Sequence, residues 1–99
     1  MPYHSAMIRS FRDKDTQRVW LGEHVPKFGA NLRRQARRRL VRLNSASTLE
    51  DLRAFPGNRL EPLRGDRAGQ HSIRINDQWR ICFRWTDHGP EDVEVVDYH

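Results

Sequence analysis

Midway along this chain the hydrophobic pattern changes period, and that change restricts the fold class more than any other feature of the sequence. From Asn31 as a cap, Leu32, Ala36, Leu40 and Leu43 recur at three- and four-residue steps, which places them on one stripe of an α-helix that Asn44-Ser45 closes. From Gln70 onward the step is two. His71, Ile73 and Ile75 alternate with Ser72 and Arg74, and Asn76-Asp77 supplies a tight turn. Trp79, Ile81, Phe83 and Trp85 then alternate with Arg80, Cys82 and Arg84, and Thr86 to Pro90 turns the chain into Val93 to Val96. Helices first and hairpins after predict an α/β chain of the α+β kind, with two N-terminal helices packed on one face of a small antiparallel sheet.

The remaining elements follow from local signals. Met7 to Phe11 reads as a short strand. Residues 1–6 have no periodicity and read as an extension or cloning remnant, leaving residues 7–99 as a single domain. Asp13 or Asp15 caps a first helix carrying Val19, Trp20 and Leu21, which Gly22 and Pro26 end. Thr48-Leu49-Glu50-Asp51 is a capping box for one further turn, and Phe55-Pro56-Gly57-Asn58 forces a loop. A domain of 99 residues buries only somewhat more than ~60% of its extended-chain surface, so three Trp, four Phe and two Tyr supply much of a thin core.

Several classes are disfavoured. No apolar run approaches the ~20 residues of a membrane span and no signal-peptide pattern is present, so a soluble cytoplasmic protein is expected. Cys82 has no partner for an internal disulfide or a zinc site and reads as a small buried hydrophobe. Neither a Gly-rich phosphate loop nor a His/Cys metal spacing appears, so no cofactor or metal is expected. Sixteen of the 18 cationic side chains are Arg, and residues 1–45 carry eleven Arg/Lys against three Asp/Glu. Arg33, Arg34, Arg37, Arg38, Arg39 and Arg42 surround the apolar stripe of the second helix. Such a helix is ordinarily a solvated basic surface, but this clustering favours a polyanionic partner, with Arg33, Arg34, Arg37 and Arg38 as candidate contacts.

The stretch Asn58-Arg59-Leu60-Glu61-Pro62-Leu63-Arg64-Gly65-Asp66-Arg67 resembles the HigB toxins of the RelE superfamily. So do Gln70-His71-Ser72-Ile73-Arg74-Ile75-Asn76-Asp77-Gln78-Trp79-Arg80-Ile81-Cys82-Phe83 and the terminal Val96-Asp97-Tyr98-His99. The similarity runs from about Met7, with its Met-Ile-Arg-Ser-Phe opening, to His99. It implies a compact RelE-like toxin of a type II toxin-antitoxin system that cleaves mRNA on the translating ribosome. It also implies a helix-turn-helix antitoxin of the HigA type as partner, with operator DNA engaged only through that complex. One branch of the family has a histidine where Glu61 stands here, while Pro56 to Glu61 is similar to the branch typified by the GraT toxin. Where some relatives carry lysine before Gly65-Asp66, this chain has Arg64, which keeps the charge but cannot share a proton.

Metal-free RNA cleavage requires a 2'-hydroxyl to lose its proton, attack the adjacent phosphorus in line, and leave charge on the non-bridging oxygens. His99, with an ordinary pKa of about 6.5, is the first candidate for proton transfer, biased by Asp97. Arg80, with Arg64 and Arg67, is the candidate for neutralising the phosphate, and Tyr98 for stacking on a base or assisting the proton. Glu61 is the second candidate acid or base, against its reading as a surface carboxylate. Salt bridges to Asp66 are the alternative for Arg64 and Arg67, and a satisfied core histidine is the expectation for His71. A noncatalytic binding module is the alternative function, and a DNA-binding repressor acting alone is disfavoured because no helix-turn-helix pattern precedes the basic helix.

Overall fold

The computed structural model describes residues 7–98; the expected extension at residues 1–6 and the terminal His99 lie outside the described residues. Asp13 starts α1 (Lys14–Trp20) by accepting a 2.9 Å hydrogen bond from the Thr16 amide, and Gly22, at φ +79°, turns the chain after it. Thr16 is itself fully buried. Its hydroxyl accepts from the Val95 amide at 3.0 Å and so ties α1 to the sheet.

Helix α2 (Ala30–Ser45) buries Ala36, Leu40 and Leu43 completely, while Leu32 is partly covered. Its N-cap is Gly29 rather than the expected Asn31. Asn31 lies inside the first turn, where its side-chain oxygen accepts from Arg34 and caps no amide. A third helix, α3 (Leu49–Arg53), is opened by the capping box of Thr48 and Asp51, and Pro56–Asn58 forms a 3-10 turn where a loop was expected. Among the described residues no helix is long and apolar enough to cross a membrane.

Four antiparallel strands pair in chain order: β1 (Glu61–Pro62), β2 (His71–Arg74), β3 (Trp79–Thr86) and β4 (Gly89–Asp97). Ile73, Ile81, Phe83, Val93 and Val95 join the buried residues of α1 and α2 in one core, and Trp79 packs edge-on against Phe28 with ring centres 5.5 Å apart. Between Cys82, opposite Glu94, and Arg84, opposite Glu91, β3 advances two residues and β4 three, so β4 carries a bulge, with Asp92 at φ +53°. The strand expected at Met7 to Phe11 is not regular. Only Phe11 bridges Val93, in parallel, with the Arg12 amide on the Val93 carbonyl and the Val93 amide on the Ser10 carbonyl. The bulge breaks the spacing that a continuous ladder on this edge would need.

Residues that alternate onto the face away from the helices are expected to meet solvent, but of Arg80, Cys82 and Arg84 only Arg84 is exposed. Cys82 and Ser72 are fully buried and Arg80 is 8% exposed. The segment from Arg59 to Arg67 closes over that face, with the Arg59 carbonyl on Arg80 and the Arg67 guanidinium reaching Glu94 at 3.0 Å. Cys82 is the buried small residue expected, and its burial pushes the thiol pKa above the ordinary value.

Candidate active site

Strand register decides which polar groups meet. In β3, Arg80 lies opposite Arg74 of β2 and Val96 of β4, while Ser72 lies opposite both Cys82 and Glu61. Cross-strand partners share a face, so Arg80, Ser72 and Glu61 converge, and Tyr98, two residues beyond Val96, arrives on the same side. The Tyr98 amide donates to the Gln78 carbonyl at 2.6 Å, which continues the pairing past the end of β4.

Arg80 is the centre of this cluster. Its Nε donates to Ser72 Oγ at 2.7 Å, and one terminal nitrogen, Nη2, donates to the Arg59 carbonyl at 2.5 Å and to the Ser72 carbonyl at 3.4 Å. Arg59 can offer that carbonyl because it sits in the left-handed region at φ +45°, an uncommon conformation for a side-chain-bearing residue. Glu61 Oε1 is 3.8 Å from Nη2, and the guanidinium carbon lies 6.0 Å from the centre of the Tyr98 ring. These contacts fix the guanidinium plane and leave Nη1 as the edge they do not use. Glu61 and Tyr98 are exposed, so a cation held on one side by protein faces a carboxylate and a phenol that solvent can reach.

The other expected site residues distribute differently. Asp97 pairs with Trp79, which places it on the opposite face from Tyr98, and its carboxylate accepts from Gln78 Nε2 at 3.2 Å. Arg64 is exposed and precedes the 3-10 turn Gly65–Arg67. Arg67 pairs with Glu94 and with Gln70 Oε1 at 3.2 Å, and no ion pair to Asp66 forms among the described residues, so the expected turn salt bridges are replaced by a link across the sheet. His99 lies outside the described residues.

His71 is on the core side as expected but is not satisfied. It stacks on Phe83, with ring centres 6.3 Å apart, and its Nδ1 is buried without a hydrogen-bond partner. Burial lowers its pKa from 6.5, and the nearby Arg53 lowers it further. The unfolded chain therefore binds this proton more readily than the folded one, so stability is full above pH 6.5 and falls as pH drops from there toward the depressed folded value. Denaturant melts between pH 7.5 and 5 are expected to show a midpoint decline that His71→Phe reduces. Equal slopes in parent and variant would assign the decline to other groups.

The α2 arginines are more structural than their count suggests. Arg33 donates to the Phe28 carbonyl at 2.6 Å, Arg37 to the Trp20 carbonyl at 3.2 Å while lying over the Trp20 ring, and Arg39 to the Arg74 carbonyl at 3.1 Å. Burial, then Arg42, Arg74 and Arg38, lower the Arg39 pKa from its ordinary value. None of the six α2 arginines forms an ion pair with a carboxylate among the described residues. The helix therefore carries uncompensated positive charge.

Ser72, Arg59 and Asn58 were not singled out by sequence. Asn58 is fully buried, donates to the Leu52 carbonyl at 3.0 Å and accepts from Arg42 at 3.2 Å, which fixes the turn that delivers Arg59. Register alone would have placed Ser72 beside Arg80; no local signal marks the left-handed Arg59.

Comparison with known proteins places the chain in a family. Residues 9–99 match the family model described as the RelE-like toxin of type II toxin-antitoxin system HigB. The chain is 48% identical over 50 residues to Toxin HigB-1 of Vibrio cholerae, a match covering 50% of this chain and 53% of that toxin, about half the relative's length. It is 32% identical over 76 residues to an uncharacterized protein of Haemophilus influenzae, covering 76% of this chain and 75% of the relative.

Proposed function

Since the chain belongs to the family of HigB-like, RelE-like toxins of type II toxin-antitoxin systems, we propose that it is the toxin of such a pair. In this reading it is a cytoplasmic endoribonuclease that cuts mRNA on the translating ribosome. The observation that carries this reading is the Arg80 guanidinium, pinned by Ser72 and the Arg59 carbonyl beside Glu61 and Tyr98. A fixed cation needs no reorganisation when charge develops on a phosphate in the transition state, which is where electrostatic catalysis is strongest.

Attack of the 2'-oxygen on phosphorus requires a group to take its proton and a group to protonate the departing 5'-oxygen. Glu61 and the terminal His99 carry these transfers, Tyr98 supports the flanking base or the proton path, and Arg80 neutralises the non-bridging oxygens. Asp97, on the face away from Arg80 and bonded to Gln78, holds the end of β4 that delivers Tyr98 and the terminal residue. Arg64, exposed before the 3-10 turn, and Arg67, tied to Glu94, add positive potential for the RNA strand. On α2, Arg34, Arg37 and Arg38 attract ribosomal RNA without reading its sequence, with Arg33 holding the preceding loop, so association weakens steeply with salt. A helix-turn-helix antitoxin of the HigA type neutralises the toxin, and operator DNA is engaged through that complex.

Primer extension on mRNA bound to translating ribosomes tests the reading. Cut sites are expected with chelator present, provided the ribosomes stay intact, and Glu61→Gln and His99→Gln, if folded, are each expected to lower cleavage by about 100-fold or more. A folded His99→Gln protein that cuts like its parent removes the terminal imidazole from the chemistry. Ribosome binding without cut products at any concentration would make the protein a binding module instead.

A further inference from the structure

Two surface depressions away from Arg80 adjoin along α2. One is a cleft of about 400 Å³ between the end of α2 and α3, walled by Val41, Ala46, Leu52, Ala54 and Phe55. The other, of about 510 Å³, is lined by Arg34, Arg37, Arg38, Val41 and Arg42, so Val41 and Arg42 belong to both. Val41 and Phe55 are 42% and 54% exposed, and they rank among the few large apolar side chains that the described residues leave to solvent. An apolar trough thus ends against a row of arginines that no carboxylate compensates among the described residues.

We propose that this composite groove is a docking site for an acidic polypeptide segment in amphipathic helical form, one apolar edge in the cleft and its carboxylates on Arg34, Arg38 and Arg42. Charge selects an anionic occupant and the cleft selects a polypeptide over a nucleic acid. A base inserted there would need an aromatic face, but one face of the Phe55 ring is taken by the Arg42 guanidinium, 5.2 Å from its centre, and the other apolar walls are aliphatic. The cleft is also rimmed by the Asp51 carboxylate, held in place by the Ser47 and Thr48 amides at 2.8 and 3.1 Å, which repels a phosphate. An apolar side chain of a helix meets neither obstacle. The groove shares Arg34 and Arg38 with the surface assigned above to ribosomal RNA, but its apolar cleft, walled by Val41 and Phe55, plays no part in that reading.

Fluorescence anisotropy with the full chain and three labelled probes tests it. The probes are a synthetic helix with leucines at i, i+4 and i+7 among glutamates, a peptide of the same composition with the leucines dispersed, and a single-stranded RNA. The patterned helix is expected to bind about tenfold more tightly than the dispersed peptide, and Val41→Gln, at an exposed helical position that tolerates glutamine, to erase that advantage without changing RNA affinity. Arg38→Gln is expected to weaken both peptides. Equal affinity of the two peptides for the parent protein overturns the proposal, leaving nonspecific charge attraction. Patterned-peptide affinity unchanged by Val41→Gln also overturns it, as does RNA affinity that falls with that variant, which would make the cleft a nucleotide site.

Discussion

Arg80→Gln is expected to lower ribosome-dependent mRNA cleavage by about 100- to 1,000-fold, the loss that follows removal of one preorganised charge-stabilising group. Arg80→Lys is expected to fall nearly as far. Lysine keeps the charge, but it lacks the planar fork whose separate Nε and Nη2 reach Ser72 Oγ and the Arg59 carbonyl, so its position over the phosphate is no longer set by the sheet. Ser72→Ala separates charge from position. It leaves Arg80 in place but frees Nε, and a loss of about tenfold is expected, smaller than for either Arg80 variant. Because Arg80 is 8% exposed, each variant is measured beside its thermal midpoint, and rates are compared at a temperature where all are folded. A folded lysine variant with parental activity would show that the fork held by Ser72 and Arg59 contributes nothing to cleavage.

The helices and hairpins were legible because their signals are repetitive. Leu40 and Leu43 fall on one stripe of α2, Ile81 and Phe83 on one side of β3, and each pattern is enforced over several residues by burial of the same face. The surroundings of Arg80 were harder to read for a physical reason. Alternation assigns polar residues to the solvent side of a strand, but here the segment from Arg59 to Arg67 folds over that side, and the covering contacts come from residues distant in sequence. β1 is only two residues long and contains Pro62, so no periodicity marks it; it exists because Ser72 and His71 pair with it. Met7 to Phe11 illustrates the reverse case, an apolar sequence suited to a strand whose neighbour is bulged. Glu61 was read both as a surface carboxylate and as an acid or base, and its geometry accommodates both, exposed yet 3.8 Å from Arg80. The arginines of α2 were counted correctly, but a count cannot distinguish a guanidinium facing solvent from one spent on a carbonyl, as in Arg33, Arg37 and Arg39.

Asn58→Ala is expected to destabilise the fold by about 2–3 kcal/mol, because the substitution takes the Asn58 donor from the Leu52 carbonyl, leaving it only weaker backbone bonds, frees Arg42 and leaves a small void. In a domain of this size such a loss corresponds to a fall of roughly 10–20 °C in the thermal midpoint. Asn58→Asp discriminates between the two hydrogen bonds. A carboxylate keeps the acceptor for Arg42 but loses the donor to Leu52 and brings a charge into a fully buried position, so it is expected to cost at least as much as alanine. Arg42→Gln removes only the part-buried bond, 3.2 Å long, and is expected to cost under about 1 kcal/mol. The order therefore runs Asp at or beyond Ala, with Arg42→Gln well behind. A second consequence concerns chemistry, since Asn58 fixes the turn whose next residue, the left-handed Arg59, offers its carbonyl to Arg80. Below its own midpoint, the alanine variant should cut mRNA more slowly than the parent, by about the tenfold expected for Ser72→Ala, as the carbonyl anchor loosens. Full activity with the predicted instability would separate the turn from the site and leave Ser72 as the anchor that matters.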